Sequence, residues 1–278
     1  MIKRTNPLIA ELTTNMLLAI NIGNTNISLG LFQGRHLLKR YSVPTKTQGH
    51  YAYLRKIISR YKIKEAVICS VVPSACKVIK RDLTKLLYRK PYIIGKDIKV
   101  PIKNLYRNPE KLGQDRLVNA YVGAMLYGAP LVIVDFGTAI TFDIVSRRKE
   151  YLGGMILPGL GISLEVLAEK TALLPKIKLQ RPHEFIGRDT KNSILSGVIY
   201  GFACLTDGLI AEIKNKIGKI ATVIGTGGNI DLIRRYCRQI TNIDKDLTLK
   251  GLNLIYINRD VSINRDVSIF SLERLNRK

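Results

Sequence analysis

LLAINIGNTNISLGLF, residues 17–32, is the stretch on which the fold turns. An apolar run reaches Asn21, a polar turn follows at Gly23-Asn24-Thr25, and a second apolar run begins at Ile27. This is the pattern of a β-hairpin. Backbone N–H groups in a tight glycine turn form an anion-binding concavity, and glycine lets a phosphate come close. A plain Asn-Gly-type hairpin has the same local look, so the deciding feature lies further along the chain. VDFGTA, residues 134–139, repeats the order of apolar strand, polar residue, glycine, threonine and strand, and a third glycine turn, Gly225–Gly228, closes a later apolar run. Three glycine turns, two of them placed alike, favour phosphate binding. Such a hairpin usually carries an acid at the end of its first strand to support a metal. Asp135 holds that place in the second hairpin; Asn21 holds it in the first.

Reading outward, strands are expected at Leu17–Ile22, Ile27–Phe32 and Leu37–Ser42, then a helix at Tyr51–Tyr61 with Leu54, Ile57, Ile58 and Tyr61 at helical spacing. AVICSVV, residues 66–72, reads as a strand buried on both faces. A helix over Ser74–Tyr88, with Ser74 as its N-cap, and a short strand in PYIIG follow. The pattern then restarts with strands in LVIVDFG, AITFDIV and YLGGMIL, helices at Gly161–Leu173 and Lys191–Ile217, a strand in KIATVIGTGG and a helix at Asn229–Cys237. The chain therefore reads as α/β, in two related halves of mixed sheet flanked by helices. This order resembles the actin-like (ribonuclease H-like) fold of sugar kinases, in which a nucleotide lies in the cleft between the halves. The expected parts are an extension at 1–15, halves at 16–128 and 129–256, and a basic tail at 257–278. In that tail INRDVS at 257–262 is repeated at 263–268.

Composition narrows the class. At 46% hydrophobic residues, 278 residues are ample for a packed core. No apolar run of the roughly 18 to 20 residues that a membrane span needs is evident, and the first 15 residues lack the apolar segment of a secretory signal. Cys69, Cys76, Cys204 and Cys237 show no CxxC spacing and read as reduced thiols of a cytoplasmic protein. His36, His50 and His183 lack metal-ligand spacing and read as structural or surface residues. Lysine and arginine outnumber aspartate and glutamate by 45 to 21, a net charge of +24, but the excess is spread along the whole chain without a recognition motif. Any nucleic-acid binding is expected to be weak and non-specific.

Phosphoryl transfer needs positioning, cations on the phosphate oxygens and a base near the attacking hydroxyl. The candidate carboxylates are Asp135 and Asp143 around the second hairpin and Asp115 in GQDRLVNA, residues 113–120. An acid in a first helical turn is also favoured by the helix dipole. Arg116 beside it offers a bidentate grip on a carboxylate, so the pair suits a substrate bearing both a hydroxyl and an acid group. No GxGxxG opens a helix after the first strand, which disfavours a dinucleotide oxidoreductase.

These residues together resemble type III pantothenate kinases. The family's DxGNT…G pattern stands here as Asn21-Ile22-Gly23-Asn24-Thr25 with Gly30, its GxDR as Gly113-Gln114-Asp115-Arg116, and its DFGTAxTxD is complete at Asp135–Asp143. YLGGMILPGLGISLEVL, SGVIYGFACLTDGLI and LTLKGLNLIY also match, so the resemblance runs from about Met16, where family members begin, to Tyr256. It implies transfer of a phosphoryl group from ATP to pantothenate, giving 4′-phosphopantothenate, with Mg²⁺ and a monovalent cation, potassium or ammonium. Asp115 is then the general base, and Tyr106, Gly113, Gln114, Arg116 and Thr190 hold pantothenate. Asn21, Ile22, Gly23, Asn24, Thr25, Asn26, Ile27 and Ser28 wrap the ATP phosphates with Thr138 opposite, and Asp135 holds the monovalent cation. The resemblance also implies a homodimer whose partner subunit helps close the pantothenate pocket. A sugar-phosphate or acetate-type kinase fits the hairpins but not the motifs at Asp115 and Asp135. Asn21 departs from the family's aspartate: it keeps an oxygen acceptor and loses the charge, which weakens a Mg²⁺ site. That departure leaves an alternative, a weak or inactive member acting as a transcriptional accessory factor.

Overall fold

A computed structural model describes residues 16–47 and 49–259. Two mixed sheets make up the body. The first contains β1 (Met16–Ile22), β2 (Asn26–Gln33), β3 (His36–Pro44), β4 (Ile63–Ser70) and β5 (Tyr92–Ile93), in the order β3-β2-β1-β4-β5. The second contains β6 (Lys103–Asn104), β7 (Leu131–Phe136), β8 (Ala139–Val145), β9 (Glu150–Pro158), β10 (Thr222–Thr226) and β11 (Asn242–Ile243), in the order β11-β10-β7-β8-β9-β6. Apart from the edge strand β6, the orders superimpose: β7, β8, β9, β10 and β11 take the places of β1, β2, β3, β4 and β5. In each sheet the first three strands are antiparallel and the next two are parallel to the first. The matching hairpins at Gly23 and Gly137 therefore sit at equivalent ends of equivalent strands. The fold is α/β with two mixed sheets flanked by helices, as the sequence suggests.

Strand alternation sends each sheet's side chains to two cores. In β1, Leu18, Ile20 and Ile22 face the helices α1 (His50–Arg60) and α2 (Pro73–Leu87), while Leu17 and Ala19 face the opposite side. In β7, Val132, Val134 and Phe136 pack with residues of α4 (Leu160–Lys170) and α5 (Thr190–Ile217), and Leu131 and Ile133 pack the other way. The inner sides of both sheets meet one helix, α3 (Gln114–Leu126). It gives Val118 and Tyr121 to the first sheet's core and Leu117, Ala120, Val122 and Ala124 to the second's. Every residue of α3 from Arg116 to Ala124 is buried, so its polar members Arg116 and Asn119 must find partners inside the protein.

The last described helix, α7 (Leu247–Asn258), follows the second sheet in sequence but packs on the first sheet and along α3. Gly251 permits that contact, because a Cβ there would lie 2.5 Å from Val118 Cγ1.

Four expectations need correction. Ser74 is not an N-cap: Val72 is, with Pro73 at the first helical position, where its missing N–H costs nothing and its fixed φ suits the helix. The helix expected over Asn229–Cys237 is the single turn α6 (Ile230–Ile233), and α4 ends at Lys170 rather than Leu173. Helix α5, 28 residues long, is apolar and long enough to cross a membrane by length and composition, so the chain does hold a span-length stretch. Its Leu195, Val198, Ile199, Ala203, Ile210 and Ile213 are buried in the second core. The extension at 1–15 and the hexapeptide repeat lie outside the described residues, except for the repeat's first three positions.

Gly251→Ala forces Val118 and the α3 backbone to give way, an overpacking penalty of about 1–3 kcal/mol. Urea unfolding is expected to show a lower midpoint with an unchanged slope; an unchanged midpoint contradicts the close crossing.

Candidate active site

The site forms where α3 begins, between the two hairpins. Gly113 is the N-cap residue and supplies no side-chain cap. Asp115, in the first turn, turns its Oδ1 back to accept the Arg116 backbone N–H at 2.9 Å. Burial pushes the Asp115 carboxyl above the ordinary carboxylate range, against the pull of that N–H and of Arg116. A half-buried carboxylate with a raised pKa is a stronger proton acceptor than an ordinary aspartate.

Arg116 points to the second sheet. Its Nε donates to Asp143 Oδ1 at 2.7 Å and its Nη2 to the Phe142 carbonyl at 3.1 Å. Asp143, in β8, is 0% exposed and also accepts from the Tyr151 hydroxyl at 2.8 Å. Burial raises the Asp143 carboxyl to about 6, while Arg116 and the Tyr151 hydroxyl hold it back. Asp135, at the end of β7, is pushed to about 7, first by burial and then by the charges of Asp115 and Asp143; a side-chain hydrogen bond from Asn119 pulls the other way. Asn119 lies one turn past Asp115 on α3, on the same face, and its Oδ1 accepts from Thr248 of α7 at 2.8 Å. Three neighbouring acids thus share one buried arginine, an arrangement short of positive charge. Among the described residues no three Asp, Glu, His or Cys side chains converge as a preformed metal cage.

The hairpins face each other across this region. Thr25 Oγ1 and Thr138 Oγ1 are 2.8 Å apart, so the two glycine turns touch through their threonines. The first turn is closed by Gly23 N–H to the Asn26 carbonyl at 3.0 Å and braced by Thr45 Oγ1 on the Gly23 carbonyl at 2.7 Å. The second is closed by Gly137 N–H to the Ala139 carbonyl at 3.1 Å. The third glycine turn leans on it: Thr226 pairs with Asp135, and Asn229 N–H donates to the Phe136 carbonyl at 3.0 Å. Asn21 pairs with Ser28 and Cys69 in the strand register, and Asp135 with Thr141 and Thr226.

Not every expected residue presents its side chain here. Ile22 and Ile27 are buried in the first core, so only their backbone can face a phosphate, while Asn24, Thr25 and Asn26 are exposed at the turn. The Gln114 side chain lies against the turn at Gly95. The Tyr106 ring stacks at a tilt beside Tyr151, centroids 6.4 Å apart. Thr190 is exposed at the head of α5 beside the capping residue Asp189, and no hydrogen bond joins it to the acids. Sequence reasoning missed Asn119 and Tyr151. The first had a signal, its four-residue spacing from Asp115; the second opened a stretch read as a strand and as a family motif, with no role given to its hydroxyl.

The comparisons with known proteins come from sequence and from structure. The family model described as type III pantothenate kinase matches residues 17–212. A type III pantothenate kinase of Finegoldia magna is 43% identical over 253 residues, covering 87% of this chain and 97% of that protein. One of Moorella thermoacetica is 39% identical over 250 residues, covering 87% and 98%. Among solved structures, an activator of 2-hydroxyisocaproyl-CoA dehydratase from Clostridium difficile with bound ADPNP aligns with a TM-score of 0.55 at 12% identity, over 92% of this chain and 99% of that one. A protein described as a conserved putative Baf family transcriptional activator from Campylobacter jejuni aligns at 0.51 and 19% identity, over 88% and 99%. At such identities these two show the fold alone.

Asp143→Asn leaves the Arg116 cation buried without its counter-charge and is expected to cost about 3–5 kcal/mol of stability. Chemical denaturation checks this; a loss below 1 kcal/mol contradicts the buried pair.

Proposed function

The chain belongs to the type III pantothenate kinase family, and we propose that the site at the start of α3 passes the terminal phosphoryl group of ATP to the hydroxyl of pantothenate. The enzyme is a pantothenate kinase, and it makes 4′-phosphopantothenate for coenzyme A synthesis. These relatives disfavour the accessory-factor alternative. The observation that carries the assignment of the site is the cluster itself: Asp115 with a raised pKa, beside the only arginine on the buried stretch of α3 and within electrostatic reach of Asp135 at the second glycine hairpin, which touches the first.

In this reading Asp115 accepts the proton of the pantothenate hydroxyl as its oxygen attacks phosphorus. Arg116, Tyr106, Gly113 and Gln114 hold the rest of pantothenate. The turn from Asn21 to Ser28 surrounds the phosphates, largely through backbone N–H groups, and Thr138 meets them from the second hairpin. The shortage of positive charge around Asp115, Asp135 and Asp143 fits cation binding, and carboxylate oxygens are the donors hard cations prefer. Asp135 would hold the monovalent cation, and Asn21 would meet Mg²⁺ arriving with ATP; these ions supply charge neutralisation of the phosphate oxygens. We also assign a homodimer to the enzyme, supported by Leu152, Met155 and Ile156, which leave apolar area exposed on β9. Thr190 would contribute at a pocket completed in that dimer. The place of action would be the cytoplasm.

The test is ATP-dependent phosphorylation of pantothenate by the purified chain. Asp115→Asn removes the base while keeping its shape, and kcat is expected to fall by roughly 10² to 10⁴ with pantothenate still bound. A parent-like rate in that variant rejects Asp115 as base. The base must be ionised to act, so kcat/KM is expected to fall as pH drops through its pKa. Because burial raises that pKa, the fall begins at higher pH than for an ordinary aspartate.

Asn21 gives a second test. Restoring the carboxylate adds a charge-assisted contact, worth about 1–3 kcal/mol, or roughly 5- to 150-fold. Asn21→Asp is expected to raise catalytic efficiency chiefly at low Mg²⁺ and to leave the affinity for pantothenate unchanged. A Mg²⁺ titration that superimposes for both forms contradicts a metal role for this position.

A further inference from the structure

We propose that Asp143, Tyr151 and Gly154 are positioning residues that hold the Arg116 guanidinium in one orientation, with Nη1 presented to the carboxylate of the substrate. The proposal rests on the reading of Arg116 as the pantothenate grip and adds the residues that make that grip directional.

The guanidinium is a planar fork with five N–H donors, so fixing two of its nitrogens fixes the third. Nε is held by Asp143 Oδ1 and Nη2 by the Phe142 carbonyl. Nη1 has no hydrogen-bond partner among the described residues, which leaves it as the donor edge an incoming carboxylate can use. Asp143 is itself fixed. Tyr151 donates to the same Oδ1 that Arg116 uses, and Thr141 Oγ1 reaches Oδ2 at 3.4 Å.

Gly154 completes the frame. It stands opposite Asp143 in the β8–β9 register. A Cβ at Gly154 would collide with Arg116 Nη2 and with the Phe142 carbonyl, the two atoms whose hydrogen bond sets the plane of the fork. Only glycine leaves the guanidinium room to lie flat over the sheet.

Stability alone is a poor reason for this pair. Arg116 is 8% exposed and Asp143 0%. Two charges so placed pay a desolvation cost that apolar residues of the same volume avoid. Such a pair also weakens the net attraction of Arg116 for an incoming anion, since Asp143 neutralises it. What the arrangement does supply is direction: a cation that cannot swing, with one donor edge turned outward. For a substrate whose hydroxyl must reach Asp115 while its carboxylate stays on the next residue, that limits the bound poses.

The experiment is equilibrium titration of the purified enzyme with pantothenate, and separately with a non-hydrolysable ATP analogue, by calorimetry, with thermal melting as a fold check. Tyr151→Phe removes one hydroxyl and is expected to weaken pantothenate roughly 5- to 10-fold, with the ATP analogue unchanged. Arg116→Lys keeps a cation opposite Asp143 but loses the fork, and is expected to weaken pantothenate by at least as much. In the double variant Tyr151→Phe should add no further loss, because it acts through the fork. Gly154→Ala is expected to reproduce the pantothenate-selective loss. Pantothenate binding unchanged in Tyr151→Phe overturns the frame, as do losses that add in the double variant, or equal losses for both ligands. Parent-like pantothenate binding in Arg116→Lys overturns the directional role of Arg116 itself. Parent-like pantothenate binding in Arg116→Ala goes further and rejects the pantothenate reading of the site.

Discussion

The largely buried ion pair between Arg116 and Asp143 is the constraint on which the site depends. It joins the helix between the two sheets to the central antiparallel strand of the second sheet. Helix α3 is buried from Arg116 to Ala124 between the cores of both sheets, and apolar contact fixes where it lies far better than how it is turned about its axis. A single buried charge pair removes that freedom. Once Arg116 faces β8, Asp115 and, one turn on, Asn119 come within reach of Asp135. Burial of the acids then follows from the packing of the helix, and their raised pKa values follow from burial.

The two halves use one plan with unequal charge. Asn21 and Asp135 occupy equivalent positions two residues before their glycine turns, on equivalent central strands. One contributes a neutral amide oxygen and the other a carboxylate. A cation attracted to this cleft therefore meets its strongest protein partner on the side of the second sheet. The first hairpin is left to act through backbone N–H groups and the hydroxyl of Thr25, which already touches Thr138. A glycine turn can bind an anion and an acid its counter-ion, and the proposed phosphate site divides the work in this way.

Much of this was legible in the sequence because it is local. The long strands announce themselves as apolar runs, and the two hairpins as glycine turns after a polar residue. The two-residue strands Lys103–Asn104 and Asn242–Ile243 carry too little pattern to be seen, since their pairing is decided by the strands beside them. The return of α7 to the first sheet was hidden for a related reason. Its small residue, Gly251, has meaning only beside Val118. Within the site, Asp115 and Asp135 were readable as acids next to glycine motifs. Arg116 was read with a substrate carboxylate alone, whereas the fold also gives it Asp143, 27 positions away, and a pairing at that distance leaves no local trace. Tyr151 was invisible as a functional residue because its hydroxyl matters only once β9 lies beside β8.

The central claim is that one buried helix end gathers the base, the carboxylate grip and the phosphate turns into a single site. A crystal structure of the enzyme with pantothenate and a non-hydrolysable ATP analogue tests it most directly. The account expects the pantothenate hydroxyl within hydrogen-bond reach of Asp115, its carboxylate on the open edge of Arg116, and the terminal phosphate between the turns at Gly23 and Gly137. Pantothenate bound with its hydroxyl remote from Asp115, or phosphates lying outside the two turns, would contradict it.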